Sequence, residues 1–107
     1  MTSIHGAQIR KIVVACDAGM GSSVMLASQL RRQLEIYSVN VEHTPVNSIP
    51  ADADVVVCHA GLADRARVGA PDTVIVPFLL FVGDPRVAAL VSAIKRGDLF
   101  EGDRLHA

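Results

Sequence analysis

The sequence has little that would indicate a nucleic-acid-binding, membrane-spanning or disulfide-rich protein. Its 10 Lys and Arg against 11 Asp and Glu give a net charge of −1, which offers no electrostatic basis for binding nucleic acid. Two cysteines in 107 residues make no disulfide framework, so we expect a reducing, cytoplasmic setting. The longest apolar run, 74–82, is too short to cross a bilayer, and no long apolar run at the N-terminus indicates a signal peptide.

Signatures of a metal or cofactor site are also missing. The four histidines are scattered, and Cys58 with His59 cannot complete a zinc site alone. A Walker A loop needs a lysine after its second glycine, where this chain has Ser22, and one glycine pair is too few for a dinucleotide fingerprint. We therefore expect neither a metal nor a cofactor.

Apolar residues are abundant. Half of the residues are hydrophobic and 20% are charged, which favours one compact domain with a filled core. We predict that this domain covers 9–97, between a flexible leader over 1–8 and a flexible tail over 98–107.

Predicted strands and helices alternate along the domain. Strands are expected at 9–16, 39–43, 54–58 and 73–76, and helices at 22–36, 62–68 and 84–97, the last capped by Asp84 and Pro85. The buried face of the first helix is predicted to comprise Val24, Ala27, Leu30 and Leu34. Because the inner strands are uniformly apolar, the pattern predicts an α/β three-layer sandwich with a parallel sheet and helices on both faces. The alternating strand at 39–43 should lie at a sheet edge.

The segment 16–23 is the candidate site. Cys16 ends the first strand, Gly19 and Gly21 permit a tight turn, and Ser22 and Ser23 stand where a helix begins. A helix N-terminus with free N–H groups binds anions such as phosphate, and the same groups should lower the pKa of a facing thiol. We predict that Cys16 is a nucleophile in a phosphate cradle. Its backbone and hydroxyl donors would come from Asp17, Ala18, Gly19, Met20, Gly21, Ser22 and Ser23.

Two other interpretations of Cys16 are open. It could be a small buried core residue, the usual fate of a free cysteine. It could also be the nucleophile of a low-molecular-weight phosphatase or an arsenate reductase, but the arginine that clamps phosphate in such phosphatases would stand at Ser22. A cysteine that accepts phosphate without rapid release to water would act as a carrier.

The segment 16–23 resembles the phosphorylation loop of the enzyme IIB component of the bacterial sugar phosphotransferase system, of the lactose/cellobiose-like superfamily and most like the mannitol type. The resemblance covers about 10–96 and includes 47–50, 52–57, 59–62 and 64–66. It implies a four-stranded parallel sheet and an enzyme, a phosphotransferase that works through phosphocysteine. The phosphoryl group would come from a IIA phosphohistidine and pass to a sugar or sugar alcohol held by a membrane IIC partner. The alternative is a regulatory module without a role in transport.

Other residues are assigned to the surroundings of Cys16. His59, Phe78 and Phe81 are candidates for a partner surface, together with Met20, although core packing or a solvated histidine would be simpler roles. Arg65 could supply positive charge near the phosphoryl donor. Cys58 should end a strand next to that of Cys16, so a reversible disulfide is one hypothesis, and a small buried residue is the other.

Overall fold

The computed structural model describes residues 3–17, 21–80 and 83–101. Its strands are β1 Ser3–His5, β2 Lys11–Cys16, β3 Asn40–Pro45, β4 Val55–His59, β5 Val74–Phe78 and β6 Leu99–Glu101. Its α-helices are α1 Gly21–Leu34, α2 Ala63–Gly69 and α3 Pro85–Arg96. Among the described residues no helix is long and apolar enough to cross a bilayer.

Four strands form a parallel sheet in the order β3-β2-β4-β5. In the centre, Ile12 of β2 pairs with Val41 of β3 on one side and with Val55 of β4 on the other. The inner strands are buried almost throughout, because their β-branched side chains have apolar neighbours on both faces. The less buried β3 lies at an edge, as its alternating sequence predicts.

Helices cover both faces of this sheet. Leu30 of α1 and Leu90 of α3 share one apolar cluster with Val14 of β2, whereas Ala66 of α2 shares a second cluster with Val56 of β4. Successive residues of a strand point to opposite faces, so the two clusters lie on opposite sides of the sheet. The predicted three-layer α/β fold is confirmed.

The buried face of α1 differs from the prediction at one position. Ala27, Leu30 and Leu34 are buried as expected, but the side chain of Val24 is 49% exposed and Leu26 is buried in its place. The regular helix also ends at Leu34, and 35–37 continue as a 3₁₀ turn. The buried positions of α1 follow helical spacing, and in its first turn the polar Ser23 occupies the buried position in place of Val24.

The segments next to both termini contain regular structure that the sequence analysis did not predict. β1 and β6 pair antiparallel, with Ile4 opposite Phe100, and Gly6 packs so closely on α3 that an added Cβ would lie 2.0 Å from the Ala93 carbonyl oxygen. The predicted flexible leader over 1–8 and flexible tail over 98–107 thus include short regular elements at 3–8 and 99–101. The two short strands are distant in sequence, and neither has a long apolar pattern of its own.

Asp84 closes the connection between β5 and α3. Its side chain is buried and accepts hydrogen bonds from the backbone N–H groups of Arg86 at 2.8 Å, Leu79 at 2.8 Å and Leu80 at 3.0 Å. The predicted helix cap is confirmed, with Pro85 in the first turn. The same carboxylate also fixes the backbone that leaves β5.

Candidate phosphoryl-transfer site

The four parallel strands end at one edge of the sheet, and three of them end in candidate site residues. β2 ends at Cys16, β4 at His59 and β5 at Phe78, and the parallel pairing brings all three to the carboxyl edge, where α/β folds bind ligands. Helix α1 begins at Gly21, five residues after Cys16. The predicted cradle residues Ala18, Gly19 and Met20, together with the Ser22 hydroxyl and Phe81, lie outside the described part of the chain.

The two cysteines lie on opposite faces of the sheet. Cys58 pairs in register with Ala15 and shares its apolar cluster, so Cys16, the next residue of β2, points to the other face. Both thiols are free, and burial raises the pKa of Cys58 to about 11. The disulfide hypothesis is therefore wrong for this arrangement, and Cys58 is a small core residue.

Cys16 is buried, with 6% of its surface exposed. Burial raises the pKa of its thiol above the ordinary value, and the carboxylate of Asp17 raises it further. The expected lowering of this pKa is not found, because desolvation and a neighbouring negative charge both disfavour the thiolate. Burial and the Asp17 carboxylate therefore both oppose formation of the thiolate in the resting protein.

Asp17 and Arg65 form an ion pair beside Cys16. The Asp17 Oδ2 lies 3.6 Å from the Arg65 Nη1, and the two side chains are 52% and 46% exposed. Arg65 projects from α2, 48 positions further along the chain than Asp17, so sequence reasoning could not assign this partner. The pair joins the second helix to the end of the strand that carries Cys16.

His59 follows Cys58 on β4 as Cys16 follows Ala15 on β2, so the two side chains end neighbouring strands on the same face. Its Nδ1 accepts a hydrogen bond from the Gly61 backbone N–H at 3.1 Å, which leaves the proton of a neutral ring on Nε2. The ring is half-buried and stands edge-on to Phe78 with the centroids 5.8 Å apart. The partner role predicted for His59 stays a prediction.

Phe78 does not lie on a partner surface. Its side chain is 1% exposed and belongs to the cluster beneath α1 and α3, so that assignment was wrong. β5 continues through Pro77, and Phe78 therefore shares the inward face of Val74 and Val76. The uninterrupted apolar run from Val74 to Phe78 is visible in the sequence and is typical of a strand buried on both faces.

Exposed apolar side chains lie in the segments next to this edge. We call four of them the apolar rim: Val24 and Met25 in the first turns of α1, and Leu79 and Leu80 just after β5, exposed by 49%, 62%, 55% and 55%. Leu80 also lines a groove with Leu26 and Gln29 of α1. Ser23, between Cys16 and the rim in sequence, is buried.

The site residues found are a thiol, a histidine, a hydroxyl and an ion pair. Among the described residues, no three His, Cys, Asp or Glu side chains come together in a group that could hold a metal ion. A family model, described as PTS system, Lactose/Cellobiose specific IIB subunit, matches residues 11–93. The chain belongs to this family.

Curated relatives of this IIB chain have mannitol-specific names. It is 40% identical over 92 residues to the PTS system mannitol-specific EIICB component of Geobacillus stearothermophilus, covering 84% of this chain and 20% of that protein. The EIICB component of Bacillus subtilis is 38% identical over 90 residues, with coverages of 82% and 19%. The mannitol-specific EIICBA component of Vibrio cholerae is 48% identical over 71 residues, with coverages of 64% and 11%. The chain thus spans a fifth or less of the length of these relatives.

One solved structure, a flavodoxin-like domain from Synechococcus, overlaps 80% of the IIB chain and 74% of its own chain. The TM-score is 0.44 and the sequence identity 16%, too distant a likeness to bear on function. Within the family match lie Cys16, His59 and both members of the Asp17–Arg65 pair.

Proposed function

We propose that this IIB chain is a cytoplasmic phosphocarrier that accepts a phosphoryl group on Cys16 and passes it to a sugar alcohol. The donor is a phosphohistidine of a IIA protein or domain, and the acceptor is a mannitol-like substrate held by a membrane IIC component. One observation carries the proposal: within the family match, Cys16 ends a central strand at the carboxyl edge, and α1 starts just after it. The mannitol-specific names of the relatives support the substrate class.

The chemistry is two in-line transfers. In the first, the P–N bond of the phosphohistidine breaks and a P–S bond forms at Cys16, while the thiol proton replaces phosphorus on the imidazole, which leaves neutral. In the second, a hydroxyl of the sugar alcohol attacks phosphorus, the P–S bond breaks, and the hydroxyl proton returns to the sulfur. Positioning and charge stabilisation do most of the work in such loose transition states.

The phosphate site we propose is the cradle of residues 17–23, through backbone N–H groups and the hydroxyls of Ser22 and Ser23. The N-terminus of α1 supports this assignment, since its first N–H groups have no partner within the helix and favour an anion. Ser22 stands where a cysteine phosphatase would place its clamp arginine. The lack of that cation favours retention of the phosphoryl group over hydrolysis.

The experiment is transfer in a reconstituted system. Purified IIB chain and a IIA domain kept phosphorylated on its histidine are incubated with membranes that contain either a mannitol-type or a cellobiose-type IIC domain without its own IIB domain, each with its labelled sugar. We expect phosphorylated mannitol with the mannitol-type IIC domain, dependent on the IIB chain and lost in Cys16→Ser. Transfer only through the cellobiose-type IIC domain would overturn the substrate class, and a functional Cys16→Ser variant would overturn the mechanism.

A further inference from the structure

The Asp17–Arg65 ion pair places a negative charge, and the cation that offsets it, beside the nucleophile. Asp17 directly follows Cys16, and its carboxylate lies 3.6 Å from the Arg65 guanidinium at the carboxyl edge of the sheet. A phosphoryl group on sulfur brings about two further negative charges to the same edge. An uncompensated Asp17 would therefore oppose the phosphorylated state more strongly than the resting state.

The Asp17–Arg65 ion pair should contribute little to the stability of the fold. Both side chains are about half exposed, and ion pairs in contact with solvent contribute little to folding. Arg67, two residues further on α2, makes a similar contact with Asp64 at 3.5 Å, with side-chain exposures of 40% and 102%. The two pairs differ in location, because only Arg65 reaches across to the strand that carries Cys16.

We propose that Arg65 is a positioning residue for phosphoryl transfer, which acts by neutralising Asp17 so that a phosphoryl dianion can settle on Cys16. The inference rests on the proposed function for its transfer step. It explains how a carboxylate can stand next to a residue that must carry negative charge. Arg65 acts through Asp17, not through a bond to the phosphoryl group, and this distinction makes the proposal testable by a double-variant cycle.

The coupling between Asp17 and Cys16 supports this role. The carboxylate of Asp17 raises the pKa of the Cys16 thiol, so the two groups already interact electrostatically in the resting state. Any cation that offsets Asp17 therefore favours the thiolate as well as the phosphocysteine. His59 is the other titratable side chain that ends a strand beside Cys16, and it stays unchanged in every variant below.

The first arm of the test needs no phosphoryl donor. The rate of Cys16 alkylation is measured against pH in a Cys58→Ser background, for Arg65→Met, Asp17→Asn, the double variant and the control Arg67→Met. We expect Arg65→Met to raise the midpoint by about half a pH unit, and Asp17→Asn and the double variant to lower it. Asn keeps a carbonyl oxygen for any backbone bond that Asp17 makes. An unchanged midpoint in Arg65→Met would overturn the proposal.

The second arm measures phosphoryl acceptance from the IIA donor by intact mass. Arg65→Met should accept about tenfold more slowly, Arg65→Lys should recover most of the rate, and Arg67→Met should match wild type. Asp17→Asn combined with Arg65→Met should return to within about twofold of wild type. A double variant as slow as Arg65→Met would overturn the mechanism through Asp17. Failure of the wild type to accept phosphate would instead overturn the proposed function, while the alkylation arm would still test the coupling.

Discussion

The two edges of the parallel sheet hold their polar groups in different ways. At the amino edge, Lys11 Nζ lies 2.9 Å from Asp52 and 3.2 Å from Glu42, while the Asp54 carboxylate accepts the backbone N–H groups of Arg10 and Lys11 at 2.8 and 3.0 Å. These bonds join one strand to the next. At the carboxyl edge the polar groups surround a thiol, in segments next to the apolar rim. The polar groups of the amino edge therefore stabilise the fold, whereas those of the carboxyl edge are candidates for a chemical role.

The pKa shifts at the two edges of the sheet also differ in direction. At the amino edge, the hydrogen bond between Lys11 and Asp52 raises the pKa of the lysine and lowers that of the aspartate, so each group favours its charged form. At the carboxyl edge, burial and Asp17 push Cys16 away from its charged form.

Asp84 is an exception to this comparison, because it lies on the carboxyl side of the sheet but stabilises the fold. Its substitution should give the largest effect on stability. We expect Asp84→Ala to lower the free energy of unfolding by about 3 kcal/mol, because three backbone N–H groups lose a charged acceptor and α3 loses its cap. Urea denaturation at pH 7 measures this effect. A loss below about 1 kcal/mol would show that water replaces the carboxylate at little cost.

The same residue predicts a pH dependence. Burial raises the pKa of Asp84, but bonds from Leu79, Leu80 and Arg86 outweigh it and hold the pKa below the ordinary value. A carboxylate with a lowered folded pKa stabilises the protein above the unfolded pKa of about 3.9, and this contribution is lost as the pH falls through the folded value. The stability difference between wild type and Asp84→Asn should therefore shrink between about pH 5 and pH 2. A constant difference would contradict this assignment.

At the amino edge, Asp54→Ala should cost less, about 1 to 2 kcal/mol, because one of the two N–H groups it accepts is already exposed. Phosphoryl acceptance per folded molecule should equal that of wild type. Denaturation and intact mass on the same preparation measure both quantities. If fully folded Asp54→Ala accepted the phosphoryl group more slowly than wild type, the functional distinction between the two edges would be wrong.

The smallest expected effect on stability belongs to the apolar rim. Leu79→Ser combined with Leu80→Ser should change the free energy of unfolding by less than about 1 kcal/mol, since both side chains are 55% exposed. Acceptance from IIA should fall several-fold, because a donor that reaches Cys16 must cover neighbouring surface. The matched control is Ile36→Ser, an 83% exposed residue beyond the far end of α1. An equal loss of phosphoryl acceptance in Ile36→Ser would show that the effect comes from removing any exposed apolar side chain and not from the position of the rim.

Much of the scaffold could be read from the sequence, because its signals are local. Uniformly apolar runs of strand length gave the central strands, and the Asp84–Pro85 pair gave the start of α3. The β1–β6 pairing has no such signal, since its strands hold three residues each and meet only when the chain ends come together. The predicted strand at 73–76 stops before Phe78, although the apolar run continues through Pro77 and the strand extends to Phe78.

The site was less predictable, because its properties depend on contacts between distant segments. That Cys58 faces away from Cys16 depends on the pairing of Ala15 with Cys58, and no local pattern specifies this register. The Asp17–Arg65 pair requires α2 to pack beside the end of β2. The raised pKa of Cys16 follows from burial, which a glycine-rich loop motif does not reveal.

The most direct test of the central claim is the intact mass of the chain after incubation with a IIA domain phosphorylated on its histidine. The comparison is between Cys16→Ser and Cys58→Ser, which remove thiols from neighbouring strands on opposite faces. We predict that wild type and Cys58→Ser each gain the mass of one phosphoryl group, that iodine removes it, and that Cys16→Ser gains none. A phosphoryl group on Cys16→Ser, or its loss in Cys58→Ser alone, would contradict the assignment of Cys16 as the phosphorylated residue.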